Sequence, residues 1–232
     1  MKQSQKVLCI VFFALAIAII LGVLSIRTSN EQILQTELRN NSIKKNFKNF
    51  DRVDISGKIK VTIYRSENSG FKMENFSLQT LNNLNIYQEG TTLYIKETDV
   101  IPNLLNKPNA QITLKMPTLN SIIAAEKSKI IFKNFTGKNL QINASDSSLF
   151  KAQNAIYDEL IVNASGSTRL YLKKLIATSL NANLSNSAKM TVRMGNGKLI
   201  VNASDNSKLR YLGKPSDKQI TTTESARVGK NK

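Results

Sequence analysis

The sequence predicts an all-β chain built as a parallel β-helix, a solenoid of roughly twenty-residue coils that bury apolar faces only against their neighbours. The first observation is a phrase that recurs. It reads Leu140-Gln-Ile-Asn-Ala-Ser-Asp-Ser-Ser, Leu160-Ile-Val-Asn-Ala-Ser-Gly-Ser-Thr, Leu180-Asn-Ala-Asn-Leu-Ser-Asn-Ser-Ala and Leu199-Ile-Val-Asn-Ala-Ser-Asp-Asn-Ser. Counted from Leu119, Leu140, Leu160, Leu180, Leu199 and Lys218, the spacings are 21, 20, 20, 19 and 19 residues. The second observation is period-two alternation within each repeat, as in Leu140/Ile142/Ala144 and Leu160/Val162/Ala164, the mark of a strand with one buried face. The third is the absence of 3.6-residue periodicity in these segments, which excludes a helical-repeat array.

Each element follows in order. Val7 to Ile26 is an uncharged, almost wholly apolar run of twenty residues after Lys2 and Lys6. At ~1.5 Å per residue it matches a bilayer core of roughly 30 Å. A cleaved signal peptide is the alternative. The run exceeds the usual apolar region of about 7–15 residues, and no clear Ala-x-Ala site follows. The expectation is a transmembrane signal-anchor over 1–26, with the N-terminus in the cytoplasm and the body in the periplasm or outside the cell. Arg27, Arg39, Lys44, Lys45 and Lys48 follow the span, so the positive-inside rule adds little to this orientation. The polar, Asn/Lys-rich residues 27–48 read as a juxtamembrane stalk, and 49–230 as the folded domain. Val53–Ser56, Ile59–Tyr64, Phe71–Met73 and Leu84–Tyr87 alternate as strands do, and Glu89-Gly90 turns into Thr92–Lys96 as a hairpin. Residues 98–109 read as a loop, followed by a strand over Ala110–Met116 that Pro117 ends. The clear coils run from 119 to 230. Their second inward column is Phe150, Leu170, Met190, Leu209 and Val228, and their third is Ala152, Leu172, Val192 and Tyr211. Small Ser and Asn residues at 145, 165, 185, 204 and at 147, 167, 187, 206 suit the corner between strands.

The order Phe50-Asp-Arg-Val-Asp-Ile-Ser-Gly, Lys60-Val-Thr-Ile-Tyr, Gly90-Thr-Thr-Leu-Tyr-Ile, Ile112-Thr-Leu-Lys-Met-Pro-Thr-Leu-Asn-Ser-Ile and then the Ala-Ser-Gly-Ser coils resembles the head domain of putative auto-transporter adhesins, the GIN domain. The likeness covers roughly 47–230. It implies a right-handed β-helix-like fold, a bacterial envelope location and a binding role, and it brings no catalytic residues. One departure is the first corner, Ala124-Ala-Glu-Lys-Ser, where the family tends towards Ser-Gly-Ser and where only Gly166 keeps the glycine here.

Composition narrows the chemistry. Histidine is absent, and the single cysteine, Cys9, lies in the apolar run. The body therefore has no His-based triad, no His or Cys metal site and no disulfide. No cofactor is expected. Phosphate-loop, dinucleotide and calcium-repeat motifs are missing. Asp146 and Asp205 share a corner position but stand three coils apart, roughly 14 Å, against roughly 5–9.5 Å for glycosidase pairs. They read as turn formers, and the chain as a non-enzyme.

Net charge is +17; without residues 1–26 the body keeps 31 basic against 16 acidic residues, a balance of +15. Such a body favours polyanions. A location outside the cytoplasm disfavours nucleic acid and leaves anionic polysaccharide, lipid headgroups or a surface protein as partners. The candidate surface is a column at Lys129, Leu149, Arg169, Lys189, Lys208 and Arg227, with Lys151, Tyr171 and Arg210 two places on. By alternation these face solvent, with Tyr171 as a stacking platform for a sugar. A solvated face of a basic protein is the competing reading. Asn143, Asn163, Asn183 and Asn202 spell Asn-x-Ser four times; stacking into side-chain ladders accounts for them better than glycosylation. The expected function is an adhesin-like binding module for anionic polysaccharide or surface. A structural envelope role and a polysaccharide-processing enzyme are the alternatives.

Overall fold

Parallel strands stacked coil over coil bring each repeat position into a column, and the computed structural model shows these columns in register. It describes residues 43–76, 81, 83–98 and 111–231. The Val7–Ile26 segment and all but the first residue of the 98–109 loop lie outside the described residues. Among those described, no helix is long and apolar enough to cross a membrane.

The N-terminal part holds β1 (Ile43–Lys45), β2 (Arg52–Ser56), β3 (Lys60–Arg65), β4 (Gly70–Glu74), β5 (Leu84–Glu89), β6 (Thr92–Glu97) and β7 (Gln111–Met116). The repeats hold β8 (Ser121–Ala124), β9 (Lys129–Lys133), β10 (Thr136–Ala144), β11 (Leu149–Gln153), β12 (Ala155–Ala164), β13 (Arg169–Leu184), β14 (Lys189–Met194), β15 (Lys198–Ala203), β16 (Lys208–Leu212), β17 (Asp217–Thr222) and β18 (Arg227–Lys230).

The strands line up as walls along one axis. One wall, called here the amide wall, runs β6, β2, β8, then the C-terminal halves of β10, β12 and β13, then β15 and β17, all parallel. A second, the basic wall, runs β7, β3, β9, β11, the start of β13, β14, β16 and β18. A short third wall joins Thr136 to Ile156 and Ala155 to Leu175. The long strand β13 passes from the basic wall round through the third wall into the amide wall.

The first coil in sequence is not the first in space. β2 lies between β6 and β8, and β3 between β7 and β9. The chain lays down β2 and β3, makes β4 and the antiparallel β5–β6 hairpin, adds β6 and β7 on one side, then returns with β8 and β9 on the other. Antiparallel β4 on β7 and β1 on β4 extend the basic wall at that end. Strand β1 corrects the expected boundary, because it falls inside the stretch read as stalk. Its three residues are too few to show alternation, and its partner, the edge of β4, lies far away in sequence.

The inward columns are as the alternation requires. Leu140, Ile142, Leu160, Val162, Phe150, Leu170 and Leu172 are fully buried, together with Phe132 and Phe135. Tyr157 fills the third wall. Its hydroxyl donates to the Leu119 carbonyl at 2.9 Å, and burial pushes its phenol pKa up beyond any ordinary pH. The buried corner column lies one residue later than the Ser147 column, at Ser128, Ser148, Thr168, Ala188 and Ser207. Here the chain is too crowded for a large side chain. The hydroxyls of Ser128, Ser148 and Thr168 have no hydrogen-bond partner, and Ala188 does without one, so small size is what the position demands.

The far end is closed by polarity. Lys218, Ile220 and Thr222 take the register of Leu199, Val201 and Ala203. All of β17 is exposed, and Val228, expected inward, is half-buried. A polar terminal coil is how a solenoid avoids stacking further. The turn into that coil uses Gly213 at φ +107°, where a Cβ would stand 2.1 Å from the Met194 carbonyl oxygen.

Leu170→Asp places a charge in the inward column and should abolish cooperative unfolding or lower Tm by well over 10 °C. Arg169→Ser, on the next residue but facing out, should leave Tm within about 2 °C. Similar melting for both purified variants would contradict the assignment of faces.

Candidate polyanion interface

The outward positions of the basic wall carry the expected residues in continuous register. Lys129 pairs with Leu149, Leu149 with Arg169, Arg169 with Lys189, Lys189 with Lys208 and Lys208 with Arg227. Arg169, Lys189, Lys208 and Arg227 are exposed, and Lys129 is half-buried beside Leu149, which interrupts the column. Two places on, Lys151 pairs with Tyr171 and Thr191 with Arg210. Tyr171 is 46% exposed, and the Lys151 ammonium stands 6.0 Å from its ring centroid.

The structure adds residues that the repeat does not reveal. Lys60 pairs with Lys129, and Tyr64 with both Lys115 and Lys133. Lys133 Nζ lies 5.0 Å from the Tyr64 ring centroid, a cation–π contact. Arg193 on β14 is exposed where the wall turns, aligned with Ile176 after a register shift in β13. Lys60, Tyr64 and Lys115 come from strands outside the repeats, so only the strand order places them here. Equally informative is what the wall lacks. Strands β3, β7, β9, β11, β14, β16, β18 and the Arg169–Leu172 segment contain no Asp or Glu. Of the described ion pairs, Arg52–Asp51 and Lys96–Asp54 lie off this wall, and Lys72–Glu74 lies on β4, the antiparallel strand that extends it at one end.

Electrostatics follow from the spacing. Neighbouring cations one coil apart, at ~4.8 Å between strands, repel by about 1 kcal/mol per pair in bulk water, less as the side chains splay and salt screens them. Arg169, Lys189, Lys208 and Arg227 make three such steps in succession. An anionic polymer laid along the axis replaces repulsion with attraction at each step.

The Asp corners are structural, as expected. Glu126, Asp146, Gly166, Asn186, Asp205 and Glu224 form one column of left-handed residues, with φ from 57° to 70°. Asn, Asp and Gly tolerate that conformation best. In the first coil Glu126 takes it without a glycine, which resolves the departure seen in the sequence. Asp146 Oδ2 accepts from the Glu126 N–H at 3.2 Å and from the Ser145 hydroxyl at 3.0 Å. Asp205 Oδ2 accepts from the Asn186 N–H at 2.6 Å and from the Ser204 hydroxyl at 3.0 Å. Each carboxylate thus ties its corner to the coil before it. Among the described residues there is no group of acidic side chains able to hold a metal ion.

The Asn186 N–H, then the Ser204 hydroxyl, hold the Asp205 carboxyl below its usual range. A depressed folded-state pKa stabilises the protein above the unfolded carboxyl range, and this contribution disappears as pH falls through the folded value. Asp205→Asn should therefore melt below wild type at pH 7, and the gap should close towards pH 3. A gap independent of pH would mean that the charge plays no part in the corner.

No curated protein matches the chain. Among solved structures, a putative adhesin from Bacteroides fragilis is similar at 16% identity, with a TM-score of 0.59, over 82% of this chain and 97% of that one. A putative lipid binding protein from Parabacteroides distasonis is similar at 16% identity, with a TM-score of 0.53, over 83% of this chain and 96% of that one. At such identity the likeness speaks for the fold alone. Residues 49–215 match the family model for the putative auto-transporter adhesin, head GIN domain, and the chain belongs to that family.

Proposed function

We propose that this protein is a non-enzymatic, adhesin-like binding module that holds an anionic polysaccharide or anionic surface along its basic wall. The observation that carries the proposal is the run of parallel strands without carboxylates, where Arg169, Lys189, Lys208 and Arg227 stand in one registered column. A rigid rod with a cation at each step suits a ligand whose charges also repeat, because weak contacts on one scaffold add up. Lys151, Tyr171 and Arg210 widen the strip, and Tyr171 offers an exposed ring for a sugar face. The family's description as an adhesin head supports a binding role. The description of one neighbour as a putative lipid binding protein makes anionic headgroups a surface worth including in the test. The absence of histidine removes the commonest general base, and the two corner carboxylates already hold backbone.

The proposal includes the cell address. Val7–Ile26 anchors the chain in the membrane as a single pass, and the body lies in the periplasm or outside the cell. Retention in the membrane pellet after alkaline carbonate washing is the expected behaviour; release into the supernatant would argue against the anchor.

Binding is measured with purified full-length protein in neutral detergent against polygalacturonate and against vesicles containing phosphatidylglycerol, across a salt series. Affinity should fall steeply as salt rises. The Arg169→Ser/Lys189→Ser/Lys208→Ser variant should bind at least tenfold more weakly at an unchanged Tm. Equal binding by the variant, or no binding at low salt, would return the wall to the status of a solvated face and favour a structural envelope role. Shortening of the polysaccharide during incubation would instead point to an enzyme.

A further inference from the structure

The amide wall has the opposite chemistry to the basic wall. Its outward positions beside the Ser corner, over six coils, are Ser121 and Ile123, Gln141 and Asn143, Ile161 and Asn163, Asn181 and Asn183, Ile200 and Asn202, and Gln219 and Thr221. None of these carries a charge, in a chain where 21% of residues are charged; the wall's charged side chains stand away from them, at Lys198 and Asp217 where β15 and β17 begin and at Arg52, Asp54 and Lys96 on β2 and β6. A solvated face of this protein would be expected to hold lysines, so their exclusion calls for a cause.

Asn143, Asn163, Asn183 and Asn202 form a continuous amide ladder. Each Nδ2 donates to the Oδ1 of the preceding coil, at 2.9 Å in all three steps. An Asn side chain has two N–H donors and two acceptor lone pairs. The ladder uses one donor and one lone pair on Asn163 and on Asn183. One donor and one lone pair remain on each, turned away from the ladder axis and repeated at ~4.8 Å. Beside the ladder runs a shallow groove of about 550 Å³, bounded on its other lip by Ser145, Ser165, Ser185 and Ser204 and floored by the edges of small residues such as Ala144 and Ala164. It extends from Ile123 to Thr221, five coil steps or roughly 24 Å. The ladder fixes the amides against rotation, so a ligand meets them already oriented and little side-chain entropy is lost on binding.

From this juxtaposition of an oriented amide ladder, a hydroxyl lip and a charge-free groove along the axis, we infer a second binding site for an uncharged, linear glycan chain. Its chemistry matches the groove point by point. Sugar hydroxyls donate and accept, as the remaining amide groups do. The apolar C–H faces of sugar rings suit the alanine floor and the exposed edge of Ile123, which is 39% exposed. A charged polymer would have to leave water beside groups that offer no counter-charge. The site is independent of the proposed polyanion surface, and its binding should be indifferent to salt.

The test uses the full-length protein in detergent with β-1,4-linked glucose and N-acetylglucosamine hexasaccharides, titrated calorimetrically at 0.5 M NaCl to screen the basic wall. Saturable binding of either hexasaccharide is expected, equal at low and high salt. Asn163→Val/Asn183→Val removes the ladder amides while putting strand-favouring β-branched residues in their place, and should weaken binding at least tenfold. Because loss of the ladder could loosen the coils, Ser185→Trp is measured alongside. It leaves the ladder intact, fills the groove from the opposite lip, and should weaken binding as much with Tm unchanged. The Arg169→Ser/Lys189→Ser/Lys208→Ser variant should bind like wild type. No binding of either hexasaccharide at millimolar concentration, or binding unchanged in both groove variants, would overturn the inference. Loss in the basic-wall variant alone would mean that the sugar sits on that wall instead.

Discussion

Everything in this molecule depends on parallel strands stacking in register, one coil per level. Backbone hydrogen bonds between coils, such as Gln141 N–H to Asn120 O at 2.9 Å and Lys189 N–H to Thr168 O at 2.9 Å, fix each residue above its counterpart. Once register is fixed, a side chain has no freedom to choose its neighbours. An inward leucine meets an inward leucine, a left-handed corner meets a left-handed corner, and a lysine meets a lysine. Column chemistry is thus set by the repeat, and a single favourable or costly contact is multiplied along the rod. With no disulfide in the body, this ladder and the apolar columns inside it supply the stability.

The same constraint explains how much could be read from the sequence. From Leu119 onward, period and alternation gave the inward residues, the corners, the Asn ladder and the exposed column from Lys129 to Arg227. Each follows from a twenty-residue step and a two-residue pleat. The N-terminal coils were legible as strands but not as an order. Nothing local in Val53–Ser56 says that it will lie between β6 and β8, because that placement is decided by which apolar faces remain uncovered after the chain returns. For this reason Lys60, Tyr64 and Lys115 were missed as members of the basic wall. Strand β1 was missed because three residues give no periodic signal. The buried corner at Ser148 and Thr168 was displaced by one residue from the column that composition suggested, since polarity is a poor guide where size decides.

The two main walls divide the protein's chemistry. The parallel strands of one collect cations and hold no carboxylates; the other lines up amides along an uncharged groove. The Asn ladder ties coil to coil, but the distribution of charge does not help the fold. The cation column opposes it through repulsion, and an uncharged outer face forgoes the solubility that charge brings. Side chains of intermediate kinds would have satisfied the strands equally well. Segregation of this sort is carried over several coils, with the acids of the repeats at the left-handed corners, at Asp158 and Glu159 in mid-β12 and at Asp217, and it is what the proposed binding role rests on.

The claim that the basic wall is the working surface can be tested most directly by lysine footprinting. The protein is labelled with an amine-reactive reagent with and without a bound polyanion, and each lysine is quantified by mass spectrometry. Lys151, Lys189 and Lys208 should lose reactivity together, while Lys138 on β10 and Lys198 on the amide wall's β15 keep theirs. Protection spread evenly over all these lysines, or concentrated at Lys138 and Lys198, would contradict it.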